Sequence, residues 1–76
     1  MKSSSFLYEV VRMIAELYGP SPVVAVLMGA EADVRKQCAR VLKSLGPTAT
    51  PVLIAALKDT DAFYQSIISE ILIDIG

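Results

Sequence analysis

Sliding the chain by 30 residues lays positions 32–46 over 62–76, and the apolar positions coincide. Val34 falls on Tyr64, Cys38 on Ile68, Val41 on Ile71, Leu42 on Leu72, Leu45 on Ile75 and Gly46 on Gly76. Leu27 and Leu57 share the same offset. A shift of 28 carries the pattern to the N-terminal segment, with Val10 over Cys38, Ile14 over Leu42 and Leu17 over Leu45. A period near 30 with one long and one short apolar segment per unit marks an α-solenoid, whose helical hairpins cannot bury their apolar faces alone and stack on one another. The expected fold is therefore all-α. It is a single domain over 1–76, an antiparallel, right-handed stack of about two and a half helical hairpins.

Glycine and proline divide this repeat into helices. Gly19-Pro20 and Gly46-Pro47 each read as a helix end followed by a restart, Gly29 and the Asp59-Thr60-Asp61 triplet are further breaks, and Gly76 is the last. Five helices follow, at about 5–18, 21–28, 32–45, 50–58 and 62–75. Ser5 and Asp61 are the expected N-caps of the first and last. In the first, Leu7, Val10, Val11, Ile14, Leu17 and Tyr18 recur at helical spacing opposite Glu9, Arg12 and Glu16. The third places Val34, Cys38, Val41, Leu42 and Leu45 on its apolar side, and Arg35, Lys36, Arg40 and Lys43 opposite. The fifth carries Tyr64, Ile67, Ile68, Ile71, Leu72 and Ile75. The two short segments are apolar throughout and also fit buried strands, which would make a βα alternation. Ala and Leu in 52–58, with Pro51 suited to a first helical turn, favour helix.

The stretch EADVRKQCARVLKSLG at 31–46 resembles the first helix of a short HEAT-like repeat of the kind found in phycobilisome lyases. Val34-Arg35 match the family's V-R pair, Cys38-Ala39 its small pair, Leu42 its core leucine and Leu45-Gly46 its ending. TPVLIAALKDTD at 50–61 resembles the second helix and the turn between repeats. Gly29 and Glu31 stand where the first turn of the family pattern has Asp, and Gln65 where the third unit has Arg. The resemblance implies a scaffold that binds other proteins, with no reaction of its own and no cofactor. It also raises an accessory subunit of a chromophore lyase or similar enzyme as an alternative. The iron-binding hydroxylase branch of HEAT-like proteins uses His-Glu pairs, and this chain has no histidine.

Charge narrows the partners. Seven Lys and Arg against eight Asp and Glu give a net charge of −1, whereas phosphate neutralisation needs a basic excess. Contact with nucleic acid or phosphate through Arg35, Lys36, Arg40 and Lys43 is thus the minor alternative. Local pairs are expected to occupy that cluster instead, Arg40 beside its repeat neighbour Glu70 and Arg35 facing the turn that holds Asp59. Asp59, Asp61, Glu70 and Asp74 have no spacing that brings them together on a metal, and catalytic, cofactor and metal residues are all expected to be none. Cys38, in the apolar stripe, is expected to pack as a small hydrophobe. The longest uncharged runs, 17–30 and 44–57, are 14 residues each and contain two prolines apiece, short of the about 20 apolar residues a membrane span needs. With no signal-peptide pattern, a cytoplasmic protein is expected.

Apolar residues make up 54% of the chain and mean hydropathy is +0.55, against a usual apolar share of about 45–50%. The excess is expected on two surfaces. One is the short-helix face, where Val24, Ala25 and Met28 of one unit and Val52 and Ala55 of the next carry no charge. The other is the last helix, where Ile73 occupies the repeat position of Lys43. Terminal repeats normally carry polar caps. The expected outcome is self-association, most simply a two-fold dimer burying the last helix of each copy, or membership of a longer array.

Overall fold

The computed structural model describes residues 3–76, with side chains from residue 5 onward. Those residues are all-helical. The order is α1 (Ser3–Tyr18), α2 (Pro20–Leu27), α3 (Ala32–Leu45), a 3₁₀ turn (Gly46–Ala49), α4 (Thr50–Lys58) and α5 (Ala62–Ile75). No strand occurs among the described residues, so the Val-rich segment 20–27 is helical, with proline in its first turn where a missing N–H costs no hydrogen bond.

The breaks have local causes. Gly19 turns the chain between α1 and α2 at φ +85°, in the left-handed region that favours glycine, while its N–H closes α1 on the Ala15 carbonyl at 2.8 Å. Gly46 does the same for α3 at φ +65°, and Pro47 then starts the 3₁₀ turn. The Asp61 carboxylate accepts the Tyr64 N–H at 3.2 Å and caps α5. Ser5 has no such role, because α1 begins at Ser3 and Ser5 lies inside its first turns.

α1 packs against α2 and α3, α3 against α1, α2 and α5, α2 alongside α4, and α4 against α5. One core runs through these contacts. Leu27, Leu42, Leu53, Ile68 and Ile71 have essentially no exposed surface, and each contributes about 1.5–3 kcal/mol of transfer free energy. Val23 and Val24 of α2, Cys38 and Val41 of α3 and Ala49 of the turn fill the spaces between them. From α1 the core takes Val11 and Ala15, with Tyr8 and Ile14 at its edge. Val10, Leu17 and Tyr18, expected in the inward stripe, are exposed instead. The physical reason is helix geometry: Val11 and Ala15 stand one turn apart on the side of α1 that meets α2 and α3, where the small Ala15 permits close approach, and Val10 and Leu17 lie on another side.

Candidate protein interface

The basic residues of α3 are largely engaged within the chain. Arg35 donates to the Ala30 carbonyl at 3.1 Å, and its guanidinium lies 5.1 Å from the centre of the Phe63 ring. Arg40 lies 4.9 Å from the Tyr8 ring and donates to the Gln37 side-chain oxygen at 3.2 Å. Lys43 pairs with Asp74 across α3 and α5 at 2.8 Å. These replace the expected Arg40–Glu70 and Arg35–Asp59 pairs. Arg40 and Glu70 line the same open groove of about 750 Å3 between α3 and α5, but a planar guanidinium gains from an aromatic face, and the two arginines turn to Tyr8 and Phe63. Lys36 stays exposed at the rim of the groove.

Cys38 is fully enclosed, and burial pushes its thiol up to about 11, the condition of an inert rather than a nucleophilic cysteine. Among the described residues, no group of three or more His, Cys, Asp and Glu converges to hold a metal ion. None of the described helices is long and apolar enough to cross a membrane.

The expected contact residues separate into three kinds. Val24 is only 5% exposed and belongs to the core. It cannot line a contact, because α2 is flanked by α1 and α3 and also lies alongside α4. Met28 and Val52 are half-buried against the core. Ala25, Ala55 and Ile73 are exposed, Ile73 at 76%. The larger outward side chains of the short helices are Val26 and Ile54, one position away from the alanines named from the sequence.

A further surface was not visible in the repeat alignment. Along α1, Phe6 (66%), Val10 (37%), Met13 (53%) and Leu17 (70%) form one exposed stripe, while Tyr18, also exposed, points to a different side of the helix. Each member of the stripe lies three or four residues from the next, so the four face one side of the helix. The stripe is bordered by Glu9, Arg12 and Glu16. Arg12 donates to Glu9 at 2.9 Å and is also paired with Glu16. The Glu9 hydrogen bond and then the Glu16 charge hold its guanidinium above its ordinary value. The signal for this face was present as the 6, 10, 13, 17 spacing, which is apolar at every step.

No known family model, curated protein or solved structure matches the chain.

Proposed function

We propose that this chain is a non-catalytic protein–protein interaction scaffold that self-associates, arranged as a HEAT-like α-solenoid. The packing order supports the arrangement: α1, α3 and α5 touch in sequence, and α2 and α4 lie side by side, as the long and short helices of successive hairpins would. One observation carries the functional reading. Large apolar side chains are left in solvent: Phe6, Val10, Met13 and Leu17 as one stripe along α1, Val26 and Ile54 on the short helices, and Phe63 and Ile73 on α5. Contiguous apolar faces on a small domain mark interaction surfaces, and a repeat stack gains its stability from neighbours that cover such faces.

Size-exclusion chromatography with light scattering tests this directly. The expected mass is a multiple of the 8.2 kDa chain at micromolar concentration. An 8.2 kDa particle throughout that range, with no binding of an apolar-surface dye, contradicts the proposal.

A further inference from the structure

The basic residues of α3 gather on one open groove between α3 and α5. Four of the chain's seven basic residues, Arg35, Lys36, Arg40 and Lys43, line it against two of its eight acids, Asp33 and Glu70. The groove is therefore positive by two charges and the rest of the chain negative by three. Lys36, Arg40 and Lys43 follow one another at four and three residues along one side of α3, a spacing at which like charges destabilise a helix. The fold offsets this only at one end, where Lys43 pairs with Asp74. Arg35, Lys36 and Arg40 have no carboxylate within ion-pair distance among the described residues, although Asp33 and Glu70 line the same groove.

Two of these three cations are held in place. The Arg35 guanidinium lies over the Phe63 ring and the Arg40 guanidinium over the Tyr8 ring. Each uses one Nη1 donor on a neutral oxygen, the Ala30 carbonyl for Arg35 and the Gln37 side chain for Arg40. These contacts orient both forks without neutralising them. A guanidinium fixed beforehand loses less freedom when a carboxylate arrives, and the bond it then forms is charge-assisted. Between the cations the groove is apolar, at half-buried Ala39 and Ile67. We infer that this groove receives a short acidic segment of a partner protein, with carboxylates on Arg35, Lys36 and Arg40 and an apolar side chain against Ala39 and Ile67. Charge selects this occupant over a nucleic acid. A phosphodiester chain draws its affinity from a run of basic contacts, whereas here Asp33 and Glu70 interrupt the groove and its surroundings are negative. Backbone N–H groups of a peptide suit those two acids. The contact is separate from self-association, since none of the α1 stripe lines the groove.

Fluorescence anisotropy tests the assignment with a labelled, capped peptide in which glutamates flank a central leucine, in about 50 mM salt, and circular dichroism checks that each variant is folded. The expected result is saturable binding that is lost when the glutamates are replaced by glutamine. Lys36→Gln, which removes no contact within the chain, and Arg40→Gln are each expected to weaken binding about fivefold or more. Lys58→Gln changes the net charge equally but lies outside the groove, and is expected to leave binding unchanged. No saturable binding up to about 1 mM peptide overturns the inference. Equal weakening by Lys58→Gln also overturns it, because the attraction would then be general. Arg40→Lys that binds as tightly as the wild-type chain overturns the role of the oriented fork. Tighter binding of a single-stranded oligonucleotide of the same charge overturns the choice of a protein partner. The mass of the chain in solution is read separately, so a monomer that binds the peptide removes self-association and leaves the groove assignment standing.

Discussion

Leu42→Ala and Leu17→Ala remove the same atoms from two helices of the repeat, and the structure predicts very different costs. Leu42 is fully enclosed between α3 and its neighbours, while Leu17 is 70% exposed. Truncating Leu42 loses its whole transfer term and leaves a cavity that a close-packed core only partly closes, which costs about 3–4 kcal/mol. A chain of 76 residues has a total stability of about 4–11 kcal/mol, so the variant stands near the edge of folding. Leu17 has less than a third of its surface to lose, and its truncation costs under about 1 kcal/mol in the monomer. The assay is urea unfolding followed by helical circular dichroism, at a protein concentration low enough that self-association does not contribute. A cost for Leu17→Ala equal to that for Leu42→Ala would show that α1 is rotated to bring its larger stripe inward. The placement of the exposed face would then be refuted.

Three further outcomes follow from single contacts. Cys38 is expected to react with thiol reagents only as fast as the chain unfolds. Its folded thiol is raised to about 11 and the unfolded one titrates near 9.0, so the unfolded state releases the proton first. Stability is then intact below pH 9 and falls by on the order of 2 kcal/mol as pH rises from 9 through 11, a loss absent in Cys38→Ala. Asp61→Ala removes the cap on the Tyr64 N–H and is expected to lower the unfolding free energy by about 1 kcal/mol. The Lys43–Asp74 pair is about half exposed, so a double-mutant cycle is expected to return under about 1 kcal/mol, shrinking in high salt.

The helical character of the chain was legible because its punctuation is local. Gly46 adopts the positive φ that its place after a helix suggests, Asp61 caps through its own side chain, and the prolines of α2 and α4 sit in first turns. The rotation of α1 was not legible. Val10 and Leu17 are as apolar as Val11 and Ile14, and periodicity alone cannot say which of two overlapping stripes turns inward. Close approach to α3 decided it in favour of Ala15 and Val11. Val24 was misplaced for a related reason: α2 is apolar on every side and has packed neighbours on more than one of them. The arginine partners were missed because charge matching between repeats takes no account of nearby rings, and Arg40 and Arg35 lie over Tyr8 and Phe63.

The central claim is that the apolar excess of this sequence forms an interface on α1 rather than additional core. Methyl-resolved NMR over a dilution series from hundreds of micromolar to a few micromolar addresses it residue by residue. Concentration-dependent shifts are expected at the methyls of Val10, Met13 and Leu17, with Val41, Leu42 and Leu53 unmoved. Spectra that do not change on dilution, or shifts confined to Ile54 or Ile73, would contradict it.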